Sequence, residues 1–318
     1  MKPQVINPRK PGRAVFSLFL LFALLPVSAF STAAPQIITS ITPLYALATV
    51  IAGNNARVEL LINDGSSPHS FRLQPSAALA LQQADLVIWI GPDLEGKLAR
   101  PLHSLVKTGH LLTVIDLPLP VKLHNRHPGM HDEHEHSKNS IDPHVWLDPD
   151  NAAAIATAIA DWLAEIDPDN AEHYRANLAP LLQSIKAADQ RVAKELKPVQ
   201  SRHFIILHDA LQYFGQHYGL GTSVALTINS NLTGSAKRLM ELKSTINNEN
   251  ISCILYEPMP DLTIVDVLLE GTRAHAVKID PLGLSIPLEK LTYPELLEHL
   301  AKTVYGCLSD EKQNPASE

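Results

Sequence analysis

Short apolar runs alternate with longer amphipathic segments along the first half of this 318-residue chain. The apolar runs predict buried strands at 37–41, 58–62, 86–90 and 112–115. The segments between them have helical periodicity, at 43–52, 75–84 and 93–106. Parallel strands need helical crossovers between them, so this alternation indicates an α/β unit with a parallel sheet.

The same alternation returns in the second half, after two helical stretches at 149–166 and 169–197. Strands are predicted at 204–207, 223–227, 253–256 and 276–279, and helices at 209–217, 235–248, 261–273 and 293–307. The pattern predicts two α/β lobes joined by a helical spine, with a cleft between their sheet edges. Because proline removes a helical hydrogen bond, Pro180 predicts that the spine kinks there or begins later than Asp169.

The first 34 residues have the pattern of a secretory signal peptide. Four basic residues precede an apolar run from 14 to about 29, and Thr32-Ala33-Ala34 offers a small-residue cleavage site. The run is short for a membrane span, and no later run approaches the roughly 18–20 residues that a span needs. We expect export, cleavage near Ala34 and a soluble mature protein. The predicted domains are an N-terminal lobe at 35–166, a linking helix at 167–197 and a C-terminal lobe at 198–318.

The charge of the chain argues against nucleic-acid binding. Lys and Arg number 26 and Asp and Glu number 33, so the net charge is −7 with neutral histidines. Removal of the basic leader would make the mature chain more acidic still. Proteins that bind nucleic acid carry basic patches instead.

Cys253 and Cys307 are the only cysteines. In an exported protein an even pair predicts a disulfide, and closing a loop of this length contributes roughly 4 kcal/mol in the chain-entropy model. Two unlinked thiols are the alternative interpretation.

A histidine-rich loop at 118–143 is the one low-complexity segment. Its histidines are His124, His127, His131, His134 and His136. The loop is too polar to bury and too long for an ordinary connection, which indicates function or disorder. Neutral imidazole is the commonest metal ligand in proteins, so the loop is predicted to be a flexible metal collector.

Four other side chains are candidates for a fixed metal site: His69, His144, His208 and Asp280. All lie in predicted loops, three of them after predicted strands, and each half of the chain supplies two. Ligands collect at the carboxyl ends of strands in open α/β sheets, so a cleft would bring the four together. A lone loop histidine is more often a surface group, but the shared placement favours a metal cleft between the two lobes.

Several motifs in order resemble those of the periplasmic metal-binding proteins of ABC importers for zinc and manganese, in particular the ZnuA-type zinc-binding subgroup. They are DGSSPH at 64–69, ADLVIWIG at 84–91, DPHVWLDP at 142–149, HDA at 208–210, YEP at 256–258 and DPLG at 280–283. The resemblance spans nearly the whole mature chain.

The resemblance implies that His69, His144 and His208 bind the metal and that Asp280 or water completes the site. Three imidazoles and one oxygen suit tetrahedral Zn²⁺, with bonds of roughly 2.0–2.2 Å. Manganese prefers more oxygen ligands, and manganese-binding relatives have a glutamate at the place of His208. Some zinc-binding members have a glutamate directly before the first histidine, where this chain has Pro68.

The resemblance also implies a disulfide between Cys253 and Cys307, a monomer in the periplasm, and transfer of Zn²⁺ to a membrane permease with its cytoplasmic ATPase. A manganese or iron receptor, a secreted zinc hydrolase and an adhesin or metal-sequestering protein are the alternatives. A hydrolase needs an open coordination position and a general base, and the chain has no His-Glu-x-x-His helix. Asp209 and Glu257 are interpreted as orienting ligand imidazoles or, equally, as a helix cap and a surface charge.

Overall fold

The computed structural model describes residues 1, 4, 34–126, 140–221, 223–227, 236–258 and 263–309. The fold within them lies in one compact unit that begins at Ala34. The predicted signal peptide falls almost entirely outside the described residues, as do His127, His131, His134 and His136. No helix in the described ranges is both long enough and apolar enough to span a membrane.

The N-terminal half forms a parallel sheet of β1 (Gln36–Thr39), β2 (Arg57–Leu60), β3 (Leu86–Trp89) and β4 (Leu111–Thr113), in the order β2-β1-β3-β4. The crossovers contain α1 (Thr42–Ala52), α2 (Pro75–Gln83) and α3 (Gly96–Leu105). All four predicted strands are confirmed. β3 is buried along its whole length, as expected for a strand covered on both faces of a parallel sheet.

Two long helices follow, α4 (Pro149–Ile166) and α5 (Ala171–Leu196). Asp148 caps α4, because its carboxylate accepts hydrogen bonds from the backbone N–H groups of Asp150 and Asn151 at 2.9 and 3.0 Å. The helix α5 begins later than Asp169, as predicted, but Pro180 lies inside it. Pro180 and Ala176, whose carbonyl loses its helical partner, both face solvent, where water can replace the missing bond.

The C-terminal half repeats the parallel sheet with β5 (Phe204–His208), β6 (Ser223–Thr227), β7 (Cys253–Tyr256) and β8 (His275–Lys278), in the order β6-β5-β7-β8. Its helices are α6 (Gln212–His217), α7 (Ala236–Asn248), α8 (Thr263–Leu269) and α9 (Tyr293–Leu308). A disulfide joins Cys253 in β7 to Cys307 in α9, so the predicted pairing is confirmed. It fastens the last helix to the sheet.

One hydrophobic core connects the two lobes. It takes side chains from both sheets and from the helices α1, α4, α5, α6 and α9. A second, smaller core lies in the C-terminal lobe, between its sheet and the helices α7 and α8. The structure therefore has the predicted α/β class, with two lobes held together along a helical spine. The precise domain boundaries stay a prediction.

His217, the last residue of α6, ties the C-terminal lobe to the spine. Its Nδ1 lies 3.2 Å from the carboxylate of Asp148 at the start of α4, and its Nε2 lies 2.9 Å from the carboxylate of Asp189 in α5. Burial opposes the charged imidazole, but the two carboxylates outweigh it and raise the pKa of His217 to about 9. The charged ring thus links three helices.

Replacing His217 with Gln is expected to lower the melting temperature of the metal-free protein more at about pH 6 than at about pH 10. The folded-state pKa, about 9, lies above the unfolded value of about 6.5. The stabilisation is therefore complete below about pH 6.5 and is lost as the pH rises through 9. Thermal melts across this range measure it, with His173→Gln on the exposed face of α5 as the control. If His217→Gln lowered the melting temperature by the same amount at every pH, the charged imidazole of His217 would not be the source of the stabilisation.

Candidate metal centre

Three histidines from distant parts of the chain meet between the two sheets. His69 lies in the connection between β2 and α2, His144 directly precedes the turn that leads into α4, and His208 ends β5. Their ring centroids are 5.9 Å (His69–His144), 5.1 Å (His69–His208) and 5.0 Å (His144–His208) apart. One ring nitrogen from each lies within 4.8 Å of the other two. The N-terminal lobe supplies two of these rings and the C-terminal lobe one.

Two of the ring nitrogens that face the middle of this group lack partners among the described residues. The Nε2 atoms of His69 and His208 are buried and have no hydrogen-bond partner among the described residues. A buried polar atom without a partner is costly, and an interior rarely contains two side by side. A metal ion that accepts both lone pairs would satisfy them, and a third imidazole nitrogen is already in reach.

Carboxylates hold two of the three imidazoles from behind. The Nδ1–H of His144 donates to Asp142 at 2.7 Å, and the Nδ1–H of His208 donates to Glu257 at 2.7 Å. Asp142 also accepts the backbone N–H of His144 at 3.0 Å. A hydrogen bond at Nδ1 fixes the tautomer in which Nε2 carries the free lone pair, which is the form that binds metal.

The sequence predicts only part of this arrangement. Glu257 contacts the imidazole of His208, in line with one of its two interpretations, whereas Asp209 pairs with Arg126. The contact of Asp142 was missed. Its only signal in the sequence is an aspartate two residues before the histidine, and that spacing produces a contact only in the turn that the structure shows.

The surroundings of His69 and His208 shift their pKa values in opposite directions. Burial, reinforced by the neighbouring imidazoles His208 and His144, holds the pKa of His69 well below its usual range. Burial also opposes the charged form of His208, but the charge and hydrogen bond of Glu257 raise its pKa. Burial works against the ionised form of Glu257 too, yet its contact with His208 lowers its pKa. The site therefore contains an ionised carboxylate paired with a basic imidazole, next to a neutral imidazole.

Asp280 lies in the wall of the same pocket, two residues after β8. One of its oxygens, Oδ2, accepts hydrogen bonds from the backbone N–H and the hydroxyl of Ser285, both at 2.7 Å. Asp280 is not part of the group of three histidines whose ring nitrogens lie within 4.8 Å of one another. The structure brings Asp280 to the pocket but not into contact range of all three donors, so its role as fourth ligand stays a prediction.

Two further places in the chain hold potential metal ligands. His124 is the only loop histidine that the structure describes, and it is exposed and outside the group of three. The side chains of Asp148, Asp150 and His217 also lie close enough to share an ion. Both ring nitrogens of His217 contact carboxylates, however, so no lone pair is free for a metal.

Comparison with known proteins places nearly the whole chain in one family. Residues 37–307 match the family model described as "ZnuA: Zinc-uptake complex component A periplasmic". The high-affinity zinc uptake system protein ZnuA of Paracoccus denitrificans is 32% identical over 328 residues, covering 94% of this chain and 98% of that protein. The protein of the same name from Yersinia pestis is 31% identical over 305 residues, covering 91% and 96%. A crystal structure of ZnuA superposes with a TM-score of 0.75 at 25% identity, covering 87% of this chain and all of that one.

Removing either carboxylate behind the imidazoles is expected to weaken Zn²⁺ binding by about tenfold to a hundredfold, because the tautomer and the ring orientation are no longer fixed. The variants are Asp142→Ala and Glu257→Ala, measured by competition with a chelating dye. Asp116→Ala, in the same lobe but outside the pocket lining, is the control. Unchanged affinity in both carboxylate variants would show that these contacts do not position the ligands.

Replacing Asp280 with Ala is expected to weaken Zn²⁺ binding less than loss of any one of the three histidines. Water can take a fourth position, and Asp142 and Glu257 already place two negative charges beside the ion. Titration calorimetry of alanine variants at Asp280 and at each of the three histidines ranks the four losses of Zn²⁺ affinity. Affinity equal to that of the unaltered protein would remove Asp280 from the ligand set, and a loss as large as that of a histidine would make it an essential ligand.

Proposed function

The chain belongs to the ZnuA family of periplasmic zinc-uptake components, and we propose that it captures Zn²⁺ in the periplasm and delivers it to the membrane permease of an ABC importer, powered by a cytoplasmic ATPase. The observation that carries the proposal is the group of three converging imidazoles between two lobes, two of which have a buried Nε2 without a partner among the described residues. His69, His144 and His208 are the proposed ligands, with Asp280 or water as the fourth.

The donor set favours zinc over manganese or iron. Three neutral nitrogen donors and one oxygen make the tetrahedral environment that Zn²⁺ adopts in proteins. Mn²⁺ takes carboxylate, carbonyl and water oxygens at higher coordination number. The nearby carboxylates Asp142 and Glu257 have an oxygen committed to a ligand imidazole, and one oxygen of Asp280 is committed to Ser285. This arrangement supports a nitrogen-rich site.

Capture and release, rather than hydrolysis, is the proposed activity. A zinc hydrolase needs a general base that can take a proton from metal-bound water. Asp142 and Glu257 are hydrogen-bonded to ligand imidazoles, where they serve to hold the rings. Asp280, as a fourth ligand, would fill the open position that catalysis requires. We therefore expect no turnover of ester or peptide substrates by the zinc-loaded protein.

Export and a two-lobed mature chain complete the proposal. Residues 1–34 are proposed to be a signal peptide removed near Ala34, and the first strand begins immediately afterwards, at Gln36. The mature protein is proposed to be a monomer, with lobes at 35–166 and 198–318 joined by the helical segment 167–197. The five histidines between His124 and His136 are proposed to collect additional, more weakly bound Zn²⁺.

Titration calorimetry of the mature protein tests the assignment. We expect one tight Zn²⁺ per chain and a loss of affinity exceeding about a hundredfold for alanine at His69, His144 or His208, because each change removes a direct ligand rather than a supporting group. His173→Ala, on the exposed face of α5, serves as the matched control. Unaltered affinity in any two of the three ligand variants would overturn the ligand set.

A transport assay separates an importer component from an adhesin or a metal-sequestering protein. The zinc-loaded chain should stimulate ATP hydrolysis by the cognate permease and ATPase in proteoliposomes, and the His144→Ala variant should not. Failure of the loaded protein to stimulate hydrolysis, with tight zinc binding intact, would favour sequestration without transport.

A further inference from the structure

The two ends of the histidine-rich loop form a paired stem, here called the loop root, which consists of residues 121–126 and 140–142. Asn125 donates its backbone N–H to Ser140 at 3.0 Å, and Asp142 donates its own to Leu123 at 2.8 Å. Between these bonds, His124 and Ile141 form an antiparallel bridge. The two described ends of the loop are therefore paired with each other.

The N-terminal lobe holds this root through a buried asparagine of α4. Asn151 is fully buried, and its amide group makes both hydrogen bonds that the backbone of Val121 offers. Val121 donates its N–H to Asn151 at 2.9 Å and accepts from the asparagine NH₂ at 2.8 Å. The first strand of the root is thus fixed to the N-terminal half of the molecule.

The C-terminal lobe holds the same root. Arg126 donates from Nε to the carboxylate of Asp209 at 2.9 Å, and its Nη2 contacts the second carboxylate oxygen, so the pair is bidentate. Tyr213, fully buried, accepts the N–H of Leu123 at 2.9 Å and donates its hydroxyl to the carbonyl of Asp142 at 3.1 Å. Gln212 donates to the carbonyl of His124 at 3.2 Å.

These contacts connect the two sides of the metal site. Asp142 in the root holds the imidazole of His144, the ligand from the N-terminal lobe. Asp209 directly follows His208, the proposed ligand from the C-terminal lobe. Arg126 donates to the Asp209 carboxylate. The ion pair is largely removed from solvent, with side-chain exposures of 27% for Arg126 and 7% for Asp209. A pair of this kind holds its geometry better than an exposed one.

We propose that Arg126 and Tyr213 are positioning residues for the metal site. Through the loop root they hold Asp142 against His144 and keep the ligands of the two lobes in register. The proposal rests on the proposed function, because it assumes that His144 and His208 bind Zn²⁺. The root and the histidines beyond it then have separate roles: the root supports the tight site, and the histidines add weaker binding.

If the root and the histidines beyond it have separate roles, the effect of a loop deletion on Zn²⁺ affinity depends on whether the deletion includes the root. Removing residues 127–139 behind a short glycine linker keeps Arg126 and both strands of the root. Removing residues 124–136 takes Arg126 away together with the histidines. We expect the first deletion to retain the tight Zn²⁺ affinity and the second to weaken it by about tenfold or more, the size of effect seen when supporting contacts of a metal ligand are lost.

Point variants test the positioning role without shortening the chain. Arg126→Gln and Tyr213→Phe should each weaken Zn²⁺ binding by about tenfold and alter the visible absorption spectrum of the Co²⁺-substituted protein, which reports ligand geometry. Lys122→Gln is the matched control, because Lys122 lies in the same segment of the root but donates to the carbonyl of Ile115 in the N-terminal lobe. The exchanged pair Arg126→Asp with Asp209→Arg should recover part of the affinity that Arg126→Asp alone loses.

Zinc affinity and a cobalt spectrum like those of the unaltered protein in both Arg126→Gln and Tyr213→Phe would overturn the proposal. So would weaker binding accompanied by a lower melting temperature of the metal-free protein and an unchanged cobalt spectrum, since that combination indicates a structural role only. A failure of the proposed function looks different, because the unaltered protein and Lys122→Gln would then also lack tight Zn²⁺ binding.

Discussion

The structure depends on three imidazole rings that meet inside the protein, two of which have a buried Nε2 without a hydrogen-bond partner among the described residues. Burying such atoms is unfavourable unless something accepts their lone pairs, so the surrounding fold has to hold them together at a cost to its own stability. Two parallel sheets and a shared core provide that rigidity. His208 ends a buried strand, and the turn after His144 leads into the capped helix α4. Two of the three histidines are therefore placed by elements that belong to the core.

Carboxylates beside these imidazoles favour positive charge at the site, whether a dication between the rings or a proton on His208. Asp142 and Glu257 bring two negative charges into contact with the outer nitrogens of His144 and His208. Together they would balance the two positive charges of a bound Zn²⁺. No carboxylate contacts the His69 imidazole within the part of the chain that the structure describes, and burial lowers the pKa of His69, which keeps its lone pair available. Asp280, whose Oδ2 accepts hydrogen bonds from Ser285, would add a third negative charge.

Local patterns predicted the sheets well and the supporting contacts poorly, for a physical reason. The buried strands are continuous apolar runs, so their sequence reveals them directly. Around the site the chain departs from simple periodicity: helix α6 begins at Gln212 rather than 209, because the chain turns at Ala210, whose N–H binds the carbonyl of His208. The contact between Arg126 and Asp209 joins residues 83 positions apart, and nothing local in either segment indicates it. The sequence also does not show which face of a helix meets water, and so it does not show that α5 can continue through Pro180.

The same long-range contacts bear on how the proposed metal-collecting segment and the tight site could share one chain. A segment that chelates metal has to lose conformational entropy when it does so, and would weaken the tight site if it had to order at the same time. The loop root removes this conflict, because it is already fastened to Asn151 on one lobe and to Asp209 and Tyr213 on the other. The position of Asp142 is then set by contacts within the root and with the two lobes, and does not depend on the histidines that follow Arg126. The geometry around His144 is therefore set by the two lobes.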